Sequence, residues 1–421
     1  MFQSLRRSMQ SHKYFISSPT LSVSCGIPHL ACRRHYSSST TSVYAVGHNT
    51  HGCLGINSKE KTLKVPQKIP NKFFRNANIV KLDAYSGGTH VTALTDQGHL
   101  YVWGQNACGQ LGLGDRNNKY GPLPSDALTH ATNAACGEHH TLILSNDQKL
   151  YSCGYGGSKI FGMSSFLGLQ LKSDALGYST NGNQLTPKEV ETMRGKNIVS
   201  IDCGEYHSGA VTDQGELYMW GRGDWGRLGN GSNRSWQIPQ QLTSETFASH
   251  DKFQKIVCGH AFSMALSTQG AVFSWGKNEN SQLGVGEQAM GQITGGAQFD
   301  CEKSPVFLPN DVHFGGRRVV DIDCGTVTSA AIDEDNNFYY WGRTLQSPTL
   351  IEKVGKVSAM SVGKRHALLI SQDGEVFMVG ALGALGNRQH VENITSQIPT
   401  TGKVVQVVAG SDFSLFLCEE E

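Results

Sequence analysis

The sequence predicts an all-β fold, a seven-bladed β-propeller whose ring closes by pairing the C-terminal strands with the N-terminal strand. Three observations predict it. An apolar-aromatic strand ending in glycine occurs seven times, and a second phrase built on a small residue and glycine also occurs seven times. The seventh copy of the second phrase ends the chain with no strand phrase after it, while the first strand phrase has no partner before it. Gly supplies 49 of 421 residues, well above the usual ~7%, and without a collagen period that excess points to many tight turns between short strands.

The chain opens on a segment that does not belong to this pattern. Residues 1–42 contain Arg6, Arg7, Lys13, Arg33 and Arg34, many serines and no acid; the first acid is Glu60. Serines and a histidine interrupt every candidate for the compact apolar core of a secretory signal. An Arg- and Ser-rich, acid-free leader suits import driven by membrane potential, because each positive charge gains energy on crossing to a negative interior. Residues 1–36 are therefore read as a mitochondrial targeting presequence and residues 37–42 as a short leader, with Arg34-His35-Tyr36-Ser37 resembling the processing site of matrix-targeted precursors. The other reading of such a segment is a disordered basic tail. The expected location is the matrix or the matrix face of the inner membrane. No stretch reaches the apolar length of a spanning helix, so any association with the inner membrane is expected to be peripheral.

Without residues 1–36 the body carries 31 basic and 35 acidic side chains, a net charge of −4. That balance is not that of an autonomous nucleic-acid binder, and no DNA partner is expected. It leaves room for RNA contact through a local patch but removes bulk electrostatics as the driving force.

The strand phrase reads VYAVG from Val43, LYVWG from Leu100, LYSCG from Leu150, LYMWG from Leu217, VFSWG from Val272, FYYWG from Phe338 and VFMVG from Val376. It ends on Gly47, Gly104, Gly154, Gly221, Gly276, Gly342 and Gly380, at spacings of 57, 50, 67, 55, 66 and 38 residues. Blade six lacks the Leu-Gly turn that follows in other units, and blade three carries an insertion from about 156 to 189. The second phrase includes CGEHHTLILS from Cys136, CGEYHSGAVT from Cys203, CGHAFSMALS from Cys258 and CGTVTSAAID from Cys324. Its other copies are SGGTHVTALT from Ser86, VGKRHALLIS from Val362 and AGSDFSLFLC from Ala409. Except after the last copy, a short polar turn leads straight into the next strand phrase, which is a hairpin signature. The orphan fragments at the two ends complete one hairpin, which removes exposed sheet edges. Residues 43–418 are the propeller and residues 419–421 a short acidic tail.

These two phrases, together with the WG-spacer-GQLG arrangement, resemble the regulator of chromosome condensation repeat family, over essentially all of residues 43–418. The resemblance implies a propeller that regulates a partner rather than making covalent bonds. Its nuclear member acts in nucleotide exchange on a small GTPase, through acids and a histidine of the second phrase. Comparable places here hold Glu138, Glu205 and Asp412, with His140, His207 and His366; the acids are mostly Glu where that member uses Asp.

The periodic residues divide into packing and recognition. Cys136, Cys203, Cys258 and Cys324 are replaced by Ser86, Val362 and Ala409 in other units, which marks a small buried residue rather than a metal ligand. His90, His140, His207 and His366 alternate with Phe262, Thr328 and Phe413, which favours half-buried rings bracing the strands. The residues just after the second-phrase glycine vary: Gly88-Thr89, Glu138-His139, Glu205-Tyr206, His260-Ala261, Thr326-Val327, Lys364-Arg365 and Ser411-Asp412. By repeat symmetry they ring the axis on one face, as exposed loop groups. Variation on a rigid scaffold is where recognition sits. The candidate partner-binding face is Glu138, His139, His140, Glu205, Tyr206, His207, Lys364, Arg365, His366 and Asp412.

No GxSxG elbow, HExxH or Walker loop occurs, so no covalent chemistry, catalytic residue, cofactor or metal is expected. Two functions remain open. The first is guanine-nucleotide exchange for a mitochondrial GTPase, which the resemblance implies to be a dynamin-like fusion GTPase. The second, also implied by the family's mitochondrial members, is a scaffold binding rRNA-modification or ribosome-assembly proteins and rRNA, in large-subunit pseudouridylation and translation.

Overall fold

In the computed structural model, residues 40–128, 130–157, 175–180, 182–247, 252–286, 301–343, 345–380 and 390–420 are described. The expected presequence and most of the expected blade-three insertion lie outside them. The described strands form seven four-stranded antiparallel sheets. Blades are numbered here by the strand phrase they carry. Blade two is typical: Ile79–Ala84 lies innermost, then His90–Thr95, Leu100–Gly104 and, outermost, Lys119–Pro124.

Burial follows position in the blade. The two middle strands of blade two are buried at every residue, because neighbouring blades cover both faces. The outer strand of blade one, Thr62–Ile69, instead shows buried positions separated by exposed pairs. This is why the middle phrases are built mostly of apolar and small uncharged residues while the outer strands read as ordinary polar sequence.

Closure occurs as the sequence predicts. Thr41–His48 pairs antiparallel with Phe413–Glu419, in the register Val43↔Leu417, Ala45↔Leu415 and Gly47↔Phe413. Lys403–Ala409 and Thr62–Ile69 complete that sheet as blade one. In blade three, Gln184–Glu189 is the outer strand, so the last six residues of the span 156–189 belong to the blade rather than to an insertion.

A repeated latch joins successive blades. The Trp220 indole donates to the Ala175 carbonyl at 2.8 Å, Trp275 to Arg227 at 3.0 Å and Trp341 to Gln282 at 3.1 Å. Each acceptor immediately precedes the Leu-Gly of the preceding blade. Gly229, at φ +74°, sits so close that an added Cβ would lie 2.9 Å from the Trp275 indole nitrogen; the turn needs glycine for both conformation and space. Blade six lacks the Leu-Gly turn, and blade seven has Val379 in place of the tryptophan. Latch and receptor are missing together.

The strand-ending glycines have their own cause. At Gly221, φ is +105° and a Cβ would come within 2.5 Å of the Tyr206 carbonyl oxygen, so the strand must end on glycine to pass beneath the second-phrase loop.

Histidines form a second set of ties. The Nε2 atoms of His90, His140, His207 and His366 each lie 2.9 Å from a hydroxyl of the next blade, on Thr141, Ser208, Ser263 and Ser414. Cys136, Cys203, Cys258 and Cys324 are free and buried, with burial pushing each thiol well above its ordinary range.

Candidate functional site

The innermost strands surround a central cavity of about 280 Å³. Its polar lining is largely committed to holding the ring. Asp83 accepts from the Cys136 backbone N–H at 2.7 Å, Asp202 from Cys258 at 2.6 Å and Asp323 from Val362 at 2.7 Å. Each carboxylate caps the inner strand of another blade. Lys255 pairs with Asp321 at 2.6 Å, and Lys81 bonds Asn133. Burial raises the carboxyl groups of Asp83 and Asp202, and lifts Asp323 to about 6. These acids were not among the expected site residues. The signal was present as an acid inside an otherwise apolar phrase, IDC, at Ile201–Cys203 and again at Ile322–Cys324.

The second-phrase loops bring part of the expected face together, in the sector of blades three to five. Glu138, Glu205 and His260 each offer a ligand atom within 4.8 Å of the others, an arrangement able to hold a metal ion. Glu205 Oε2 lies 3.3 Å from Arg227 Nη1 and 3.4 Å from His260 Nδ1. Arg227 is only 2% exposed, although it occupies the latch position that holds Gln110 or Gln282 in other blades. His139 Nε2 stands 3.8 Å from Glu138.

Around these charges lies an aromatic group. The His139 and Tyr206 rings are 5.4 Å apart, Tyr155 and Tyr206 5.8 Å, and the Arg222 guanidinium stacks over Tyr206 at 5.5 Å. Beside them Lys277 lies over Trp225 at 4.5 Å. Trp225 adopts φ +65°, a conformation that a bulky side chain rarely takes. Tyr155, Arg222 and Trp225 were not among the expected site residues, because none belongs to the second phrase.

The electrostatics follow from burial and proximity. Burial, then the neighbouring Glu205 carboxylate, lift Glu138 to about 7 against the opposing field of Lys364. Burial lowers the basicity of His139 and His260, while Glu205 opposes both shifts. Burial and then Glu205 and Glu138 raise Tyr206 to about 12.

The rest of the expected face separates. His140 and His207 are at most 1% exposed, so they brace blades and do not present a surface. His366 is partly buried and committed to Ser414. Glu205 is also less exposed than a loop group should be, at 17%, because it caps buried Arg227. Arg365 Nε lies 3.9 Å from Asp412 Oδ1, between blades seven and one, while the Lys364 charge acts on Glu138 and His260. The face is therefore an acidic-aromatic group with Lys364 in its field, and a weak Arg365–Asp412 pair.

Comparison with known proteins extends this. The sequence profile of the regulator of chromosome condensation (RCC1) repeat matches residues 42–94, 97–144, 172–211, 214–266 and 269–332. The human E3 ubiquitin-protein ligase HERC2 is 29% identical over 345 residues, 77% of this chain but 6% of HERC2. The Arabidopsis thaliana RCC1 domain-containing protein RUG3, mitochondrial, is 28% identical over 380 residues, 81% of this chain and 78% of RUG3. Prp20p from Saccharomyces cerevisiae, whose crystal structure is described with its binding to Gsp1p and histones, superposes with a TM-score of 0.72. It is 20% identical, over 91% of this chain and 93% of that one, a likeness of fold.

Proposed function

This chain belongs to the regulator of chromosome condensation (RCC1) repeat family, and on that premise we propose that it is a mitochondrial exchange factor, releasing guanine nucleotide from a mitochondrial GTPase. One observation carries the reading: the sector of blades three to five gathers Glu138, Glu205, Arg222 and Tyr206 on one rigid face. Tyr and Arg are the residues most often found as energetic anchors of protein interfaces. The mixed charge steers and orients one partner. Nucleotide exchange needs no bond-making residue. It needs a preorganised surface that binds the nucleotide-free state of the GTPase more tightly than the loaded state, and latched blades supply that rigidity.

The mitochondrial name of RUG3 and the acid-free leader support the compartment. The described binding of Prp20p to Gsp1p supports a protein partner, and the resemblance to the family's nuclear member supports a GTPase as its class. The body's net charge of −4 favours a protein over bare RNA. The test is release of fluorescent GDP from purified mitochondrial GTPases, including a dynamin-like one. Catalytic amounts of this protein should accelerate release from one of them. Acceleration of none, with stable capture of ribosome-assembly proteins instead, replaces exchange by the scaffold role.

A further inference from the structure

We propose that Glu138, Glu205 and His260 bind one first-row divalent cation, at the edge of the central cavity. The three side chains come from the second-phrase loops of blades three, four and five. Their ligand atoms already lie within 4.8 Å of one another, a separation that oxygen and nitrogen donors at about 2.0–2.2 Å from one ion can span after small rotations. Arg227 offsets only the Glu205 side, at 3.3 Å. Among the described residues Glu138 has the His139 ring within ion-pair distance, at 3.8 Å, and the Lys364 charge acts on it from farther off.

A second, independent feature points to a ligand. Tyr85 lines the cavity beneath these loops, is 4% exposed, and its hydroxyl has no hydrogen-bond partner among the described residues. A Cβ built on Gly87 would meet the edge of the Tyr85 ring at 2.7 Å and Glu138 Oε2 at 3.4 Å, so the phenol and the carboxylate flank one point. Buried hydroxyls are almost always satisfied. A water or hydroxide carried on the ion would accept a hydrogen bond from the Tyr85 hydroxyl and remove the anomaly.

The donor set, two carboxylates and one imidazole, suits Mn²⁺, Co²⁺ or Zn²⁺ and not a soft ion that selects thiolates. Three protein ligands leave positions open to water or to an anionic group from a partner. The site is a property of the isolated propeller and stands whether or not the exchange reading does.

Co²⁺ is the probe, because a cobalt–thiolate charge-transfer band would reveal capture by a cysteine. Mature full-length protein, stripped with chelator, is titrated with Co²⁺ by absorption and by equilibrium dialysis. The expected result is one equivalent bound, with weak ligand-field bands and no thiolate band. Glu138→Gln and His260→Ala should each weaken binding at least tenfold with an unchanged melting temperature. Glu205→Gln is a poorer choice, since it frees buried Arg227. Absence of binding, a thiolate band, or wild-type affinity in either variant overturns the proposal.

Discussion

Replacing His140 by Phe tests the reading of the buried histidines as neutral braces. Phe262 and Phe413 occupy the equivalent place in blades five and one, so the backbone accepts an aromatic ring there. At neutral pH the variant loses the contact between His140 Nε2 and Ser208 Oγ at 2.9 Å, which should cost about 1–3 kcal/mol. Burial holds the His140 imidazole down to about 3, against 6.5 for a free ring. Below pH 6.5 the unfolded chain takes up a proton that the folded chain refuses. The stability contributed by this group is therefore full above pH 6.5 and declines as pH falls toward 3. At about pH 5 the wild type has lost roughly 2 kcal/mol through this one residue, the linkage integral over one and a half pH units. His140→Phe has no such loss. Urea unfolding at about pH 7.5 and about pH 5 should show its deficit shrinking by about 2 kcal/mol at the lower value. A deficit that stays constant with pH would mean that the folded ring is protonated, and would refute the argument.

Trp220→Ala removes a fully buried indole and its bond to the Ala175 carbonyl; it should destabilise by about 3–5 kcal/mol in denaturant unfolding, and a loss under 1 kcal/mol would contradict the latch. Deleting residues from Val404 onward strips the pairing from Thr41–His48 and should lower the melting temperature of the whole ring; native spectra with an unchanged melting point would count against closure. Import should remove about 36 residues, so N-terminal sequencing of the organellar protein should begin near Ser37, and an intact Met1 would exclude the presequence.

The ring was legible because each blade writes the same constraint again. A glycine that must pass under a loop recurs in every blade, and a Leu-Gly turn that must meet a tryptophan recurs at four junctions, at fixed offsets whatever the intervening sequence. Closure was legible for the same reason, since two half-phrases at opposite ends match one whole one. The candidate site was legible only in part. Repeat symmetry placed Glu138 and Glu205 on one face but assigned His140 and His207 to it as well. Alternation with phenylalanine and threonine marked these rings as braces, but spacing could not show that their partner is the next blade's hydroxyl. Nor could it show that Arg227, standing where other blades carry Gln, folds toward Glu205 and His260. Such contacts cross between blades, and spacing within one repeat carries no record of them.

We propose engagement of a GTPase by the sector of blades three to five as the basis of exchange. Its most direct test is release of fluorescent GDP from the responding mitochondrial GTPase, by wild type and by the double variant Tyr206→Ala, Arg222→Ala. Both side chains are partly exposed, and neither is a proposed cation ligand. Loss of an aromatic–arginine anchor at an interface centre is worth about 2 kcal/mol or more. Wild type should accelerate release, and the double variant should accelerate it at least tenfold less at an unchanged melting temperature. Equal acceleration by both proteins would contradict the account.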